Sequence, residues 1–332
     1  MKWYPWLSSP YRQLLASYKQ KRGHHAVLLH SQPGNGEQSL CYALIRWLMC
    51  INPYGNNSCR VCYSCRLMIV GNHPNYYQLV PGKCQPNIGI DSIRNIIDKL
   101  YGSIYYPGGV KVLWLPNVEQ LTEPAANALL QILEEPPANT YFIMSCQTTS
   151  RLLLTLRSRC LYWPLSTPND SLSVRWLQQL GHNKLLARTA LRLCGSAPLA
   201  AEALLQPARW QERLELCTVL QNVIASGDLL ALLPALNRDK KDDGPINWLL
   251  SLIADALKYH YGAQEFIVNS DQKQLLVMLA ARWPACLLHT QWNTWLHGVR
   301  QLQETNSVNR ELLLTNQLLN WKYGTAEIYA YL

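Results

Sequence analysis

The sequence predicts an α/β domain built on a five-stranded parallel sheet, followed by two all-helical domains. Three observations predict it. Short apolar runs near residues 26–30, 76–80, 110–115, 141–145 and 161–164 alternate with helical patterns, as in a parallel sheet covered on both faces. A glycine turn follows the first run and leads into a helix, and polar Cys146-Gln147-Thr148-Thr149-Ser150 follows the fourth; open α/β sheets hold ligands at that carboxyl edge. After Pro164 the apolar runs stop and helical periodicity continues to the end.

Taken in order, residues 12–18 carry Leu14, Leu15 and Tyr18 on one side of a helix, and Ala26-Val27-Leu28-Leu29 is a short buried strand. The turn Ser31-Gln32-Pro33-Gly34-Asn35-Gly36-Glu37-Gln38-Ser39 then leads into a helix expected from Leu40 to about Cys50. Tyr76-Tyr77-Gln78-Leu79-Val80 reads as a strand, and Asp91 is expected to cap a helix bearing Ile93, Ile96, Ile97 and Leu100. Lys111-Val112-Leu113-Trp114-Leu115 is a buried strand. Thr122 is placed to cap a helix with Pro124 in its first turn, and Pro136-Pro137 must end it before the strand Tyr141-Phe142-Ile143-Met144-Ser145.

Pro168 marks a boundary, and residues 171–180, 184–194 and 197–206 read as three short helices, enough for a lid. From Trp210 the chain is helical, with breaks at Gly227, Gly244-Pro245, residues 262–270, Pro284 and Asn306, and Lys240-Lys241-Asp242-Asp243 reads as a solvated loop. Trp248, Trp283, Trp292, Trp295 and Trp321 are either helix-packing anchors or an exposed interface.

A chain of 332 residues is long enough for two or three domains. Its formal charge of +9 contains no block of five like charges, so solubility and a nucleic-acid-facing role both fit. No apolar signal core opens the chain, and no run reaches the roughly 18 apolar residues of a membrane helix; the expectation is a cytoplasmic protein with no membrane partner. Eleven cysteines cannot all pair within one chain, and cytosolic thiols stay reduced, so clustered cysteines point to a metal. Cys50, Cys59, Cys62 and Cys65 are separated by gaps of eight, two and two residues. Four thiolates suit a tetrahedral structural Zn²⁺ with no position open to substrate; the alternative is four reduced, partly buried thiols. Cys41, Cys84, Cys146, Cys194, Cys217 and Cys286 lack such spacing and are expected to be core thiols.

Strand, glycine loop and helix form the setting of a phosphate-binding loop. Its chemistry needs a lysine for the β/γ-phosphates and a hydroxyl for Mg²⁺, and those positions hold Glu37 and Gln38. A carboxylate repels phosphate, so Gly34 and Gly36 read as a plain strand-to-helix turn. Glu134 and Glu135 sit at a helix C-terminus, where acids oppose the macrodipole by roughly 0.3–1 kcal/mol each. No histidine, serine or metal set is identifiable around them, and they read as ion-pair partners.

Asn127-Ala128-Leu129-Leu130-Gln131-Ile132-Leu133-Glu134-Glu135-Pro136-Pro137 and Ser158-Arg159-Cys160 resemble signatures of the AAA+ clamp-loader subunits. Trp3-Tyr4-Pro5-Trp6-Leu7 and Asn309-Arg310-Glu311-Leu312-Leu313 resemble, more narrowly, the delta-prime family of bacterial DNA polymerase III, and the resemblance spans nearly the whole chain. It implies an AAA+-like domain over 1–165 with a zinc module at about 50–66, a lid over 166–207 and a helical collar over 208–332. It also implies that Arg159 is an arginine finger reaching the ATP site of a neighbouring subunit, and that the four cysteines hold zinc. No ATP is expected here: the carboxylates that end the Lys111–Leu115 strand in active relatives are Pro116 and Asn117, and the sensor arginine after Gly195-Ser196-Ala197 is Pro198.

The implied function is that of a non-hydrolysing subunit of the clamp loader, itself part of the DNA polymerase III holoenzyme, a DNA-directed DNA polymerase. Implied partners are the gamma or tau ATPase subunits and the delta subunit in a heteropentamer that places the sliding clamp on primed DNA. One alternative is an independent DNA-dependent ATPase with a divergent loop, which requires turnover without partners. Another is a zinc-ribbon DNA-binding protein, which needs basic residues around the cluster, where only Arg60 and Arg66 lie. For Arg159 the alternative is a pair with Glu134 or Glu135 in its own domain.

Overall fold

The computed structural model describes residues 1–82, 85–104, 109–149, 152–239, 242–304 and 308–330. Cys84, Ser150, Lys240, Lys241 and Asn306, named above, lie outside them. The chain divides into two compact units, Met1–Pro168 and Asn169–Leu332.

In the first unit, helix α1 (Ser8–Lys19) precedes five strands: β1 (Ala26–His30), β2 (Tyr76–Gln78), β3 (Lys111–Leu115), β4 (Thr140–Cys146) and β5 (Leu161–Pro164). All pair in parallel, in the order β2-β3-β4-β1-β5. β1 lies between β4 and β5, with Ala26 opposite Phe142 and Val27 opposite Leu161. Helices α2 (Glu37–Leu48), α3 (Tyr63–Val70), α4 (Ile90–Tyr101), α5 (Glu123–Glu134) and α6 (Leu154–Ser158) make the crossovers. Covered on both faces, β1 and β3 bury almost every side chain, and Leu28, Leu113, Phe142 and Met144 join Leu129 and Leu133 of α5 in one core. Lys111 is the polar exception. Its buried ammonium donates to the carbonyls of Lys99, Leu100 and Gly102, satisfying the last turn of α4.

The boundaries differ from the sequence expectation where a cap decides them. α2 starts at Glu37 and not Leu40, because Gly36, at φ 89° and left-handed, is its N-cap; it ends at Leu48. α4 starts after Gly89, so Asp91 lies in its first turn and complements the dipole without capping it. Thr122 occupies the N-cap of α5, but its hydroxyl makes no capping bond. β2, at the sheet edge, stops at Gln78, while β4 gains a residue at each end.

The second unit is helical. α7 (Asp170–Gln179), α8 (Lys184–Leu193) and α9 (Pro198–Leu204) pack together. Asn169 and Asn183 cap the first two by accepting from Ser171 N at 2.9 Å and Leu185 N at 2.8 Å. α10 (Pro207–Ser226) stops at left-handed Gly227 and is followed by α11 (Leu233–Leu236), α12 (Gly244–His260), α13 (Lys273–Arg282), α14 (Ala285–Glu304) and α15 (Arg310–Ala330). Trp248, Trp283, Trp295 and Trp321 are buried and Trp292 is partly so. They are packing anchors: the Trp321 ring lies 4.8 Å from Trp283 and 6.5 Å from Trp295.

Cys286 is exposed, against expectation, because α14 packs through Leu288, Gln291 and Trp295 and position 286 points away from that stripe. Cys41, Cys146 and Cys217 are buried, and Cys194 is partly so. Among the described residues no helix is long and apolar enough to cross a membrane.

Candidate functional site

The glycine loop between β1 and α2 keeps the backbone of a phosphate cradle, with Gly34 and Gly36 both at φ 89°. Burial pushes the Glu37 carboxyl up, with the backbone N–H groups of Glu37 and Gly36 pulling the other way, and its Oε2 is buried without a hydrogen-bond partner among the described residues. Gln38 points to solvent. The N-terminal aromatics cover the loop from outside: Trp6 Nε1 donates to Asn35 O at 2.8 Å, and a Cβ at Gly36 would stand 3.1 Å from the Tyr4 ring. Tyr4 stacks on Trp6 with centroids 5.1 Å apart.

At the carboxyl ends of β3 and β4 the polar groups are likewise occupied locally. Asn117 caps a 3-10 turn, Val118–Gln120, by accepting from Glu119 N at 3.1 Å. Glu119 accepts from Gln147 N at 2.9 Å and from Thr148 N. Ser145 Oγ donates to Pro116 O. Sequence reasoning passed over Glu119 and the Trp6–Asn35 bond; an acid just beyond an apolar strand is too common to single out, and the indole bond joins residues 29 apart. Pro198 is the first residue of α9, in the second unit.

Arg159 is the residue after α6 and stands two residues before β5. Its side chain is 36% exposed and its Nη2 pairs with Glu134, whose side chain is 50% exposed. Nη1 donates to Thr155 O at 3.2 Å and to Ser158 Oγ at 3.3 Å. Arg157, by contrast, lies over the Tyr162 ring at 4.5 Å. Burial pushes the Cys160 thiol up to about 12, which removes it as a nucleophile at neutral pH.

The four clustered cysteines converge, with all Sγ atoms within 4.8 Å of one another. A tetrahedral Zn²⁺ with bonds of about 2.3 Å places its sulfurs about 3.8 Å apart, and Cys59 Sγ lies 3.9 Å from Cys65 Sγ. Main-chain amides point at the sulfurs: Cys59 N donates to Cys50 Sγ at 3.2 Å, Cys62 N to Cys59 Sγ at 3.3 Å and Cys65 N to Cys62 Sγ at 3.4 Å. The amides of Cys62 and Val61 hold the Cys59 thiol down at about 6, while burial pushes Cys50 and Cys65 up. Amide-supported sulfurs in a tetrahedral-sized cluster fit a thiophilic ion and could bind zinc. Behind the cluster, Ser64 Oγ donates to Met49 O and lies 3.0 Å from His73 Nε2, tying its two halves together.

The family described as DNA polymerase III, delta subunit, matches residues 7–169; that described as DNA polymerase III subunit delta', AAA+ ATPase lid domain, matches 168–206; and that described as DNA polymerase III, delta subunit, C terminal, matches 207–323. The chain is 50% identical to DNA polymerase III subunit delta' of Yersinia pestis over 97% of this chain and 96% of that one. It is 42% identical to the subunit delta' of Escherichia coli (strain K12), over 96% and 95%. It also shares 30% identity with the DNA polymerase III subunit gamma of Buchnera aphidicola subsp. Acyrthosiphon pisum, over 48% of this chain and 43% of the other. On similarity that runs from end to end over this AAA+-like fold and its helical second unit, the chain belongs to the DNA polymerase III subunit delta' family.

Proposed function

We propose that this chain is a non-hydrolysing subunit of the polymerase III clamp loader, working in the cytoplasm, that helps place the sliding clamp on primed DNA and lends Arg159 to the ATP site of a neighbour. The observation that carries the non-hydrolysing part is Glu37 itself, a partly buried carboxylate at the first position of α2 directly after Gly36, where an active loop offers amides and a lysine to phosphate. Pro116, Asn117 and Pro198 replace the remaining groups, so phosphate and magnesium find neither charge nor ligand. Support for Arg159 is its position: a partly exposed guanidinium near a strand entry, held by a surface pair and by local bonds to Thr155 O and Ser158 Oγ, and able to exchange Glu134 for a phosphate across an interface.

The gamma and tau ATPase subunits and the delta subunit are the partners of this reading, and the similarity of about half the chain to a gamma subunit supports a shared ATPase-like body. Three domains, 1–165, 166–207 and 208–332, divide the work into AAA+-like body, lid and collar. Cys50, Cys59, Cys62 and Cys65 hold one structural Zn²⁺.

Purified alone, the chain is expected to turn over no ATP and to show no Mg²⁺-dependent ATP binding in calorimetry; mixed with the ATPase and delta subunits, it enters one assembly whose mass is read by native mass spectrometry. Turnover by the isolated chain that survives further purification would favour an independent ATPase with a divergent loop and sink this reading.

A further inference from the structure

A cavity of about 430 Å³ lies between α1, α2 and the chain leading into the cysteine cluster, within the size range of small-ligand sites. Ser39 apart, it shares no residue with the glycine loop. Lys2, Arg12, Arg46 and Arg60 all line it, and no carboxylate is among the described residues that do. The three guanidiniums gathered there with no acid in the lining repel one another and complement an anion.

Arg46 is the most telling of them. Its Nε and Nη2 are buried and have no hydrogen-bond partner, an unfavourable state for charged donors unless an acceptor joins them. Elsewhere in the chain the half-buried and buried arginines Arg209, Arg213 and Arg310 each meet a carboxylate, whereas no ion pair among the described residues involves Arg12, Arg46 or Arg60. The wall on α2 is built by helical spacing: Ser39, Tyr42 and Arg46 recur at i, i+3 and i+7, opposite the face that carries Leu40, Leu44 and Ile45 into the core. Arg60 is fixed in the left-handed region at φ 62°, a conformation uncommon for a non-glycine residue. Trp3 and Tyr42 supply aromatic wall and Ser39 and Ser58 supply hydroxyls.

We propose that this cavity binds the phosphate of a nucleotide unit, either free or within a DNA strand. Guanidinium forks match phosphate oxygens bidentately, and aromatic walls beside cations accept a base. The inference stands apart from the reading of the glycine loop, since it needs neither Mg²⁺ nor turnover.

The test is calorimetry of the full chain in Mg²⁺-free buffer with two probes, inorganic pyrophosphate and a ten-nucleotide oligo-dT. Binding at one site per chain is expected, weakened about tenfold or more by Arg46→Met and by Arg60→Asn, each removing a charge-assisted contact. Asparagine tolerates the left-handed backbone at position 60, so that variant decides the matter even where Arg46→Met disturbs folding, which circular dichroism reports. Oligonucleotide binding that pyrophosphate displaces assigns the phosphate to a DNA strand; a response to pyrophosphate alone assigns it to a free nucleotide. No binding of either probe, or wild-type binding by a folded Arg60→Asn, overturns the proposal.

Discussion

Arg159 and Glu134 form an ion pair between two partly exposed side chains, and such pairs contribute about 0–1 kcal/mol. Arg159→Ala is therefore expected to fold normally, with a melting midpoint lowered by no more than a few degrees at about 2–4 °C per kcal/mol for a unit of this size. In the reconstituted complex the same variant is expected to slow clamp-stimulated ATP hydrolysis and clamp loading. Phosphoryl transfer spreads charge over the γ-phosphate oxygens, and an arginine finger in GTPases accelerates it about 10³–10⁵-fold. A loader with several ATP sites loses less overall, because only the site facing this chain is stripped. Arg159→Lys is expected to be nearly as damaging, since lysine keeps the charge and loses the planar fork. Wild-type hydrolysis and loading rates with the alanine variant would show that Arg159 serves only its own domain.

The cysteine module is an element without a large core of its own, surrounded by exposed Ile51, Tyr54, Val61 and Tyr63. Its order rests on the four sulfurs, their amide donors and the Ser64–His73 brace. One zinc per chain is expected by elemental analysis of protein purified without chelator, and Cys62→Ser is expected to lower that content and to raise amide exchange over residues 50–66. Because the thiols must lose protons to bind metal, zinc is expected to leave as pH falls and to stay bound as pH rises; the content measured after dialysis at pH 5 and pH 8 checks the sign. Unchanged exchange after complete zinc removal would show that the module stands without metal. Sequence spacing made the cysteine cluster legible, because Cys59, Cys62 and Cys65 need only local backbone to meet. The brace was not legible, since a serine and a histidine nine residues apart carry no pattern.

Across the whole molecule the second unit depends on a buried polar network. Arg213 of α10 donates to Asp271 at 2.7 Å and to Asn269 at 2.8 Å, and Asn269 donates to Asp255 of α12, which also accepts from Val268 N and Lys258. Removing one partner of such a buried pair leaves an uncompensated charge, so Arg213→Ala is expected to cost about 3–5 kcal/mol, read as a loss of midpoint in urea unfolding followed by the helical signal. A loss below 1 kcal/mol would show the network to be replaceable. The sequence by itself determined the parallel sheet, the helical second half and the convergence of four cysteines. Each of these is written in residues adjacent or nearly adjacent along the chain, where periodicity, caps and spacing act directly. Only the tertiary structure decided the Arg213–Asp271–Asp255 network, the seating of Trp6 on the glycine loop, the Arg159–Glu134 pair and the cation-lined cavity around Arg46. Those contacts join residues that come together only once the apolar faces have packed, and the hydrophobic pattern that drives packing fixes which faces are buried without naming the polar groups that then meet.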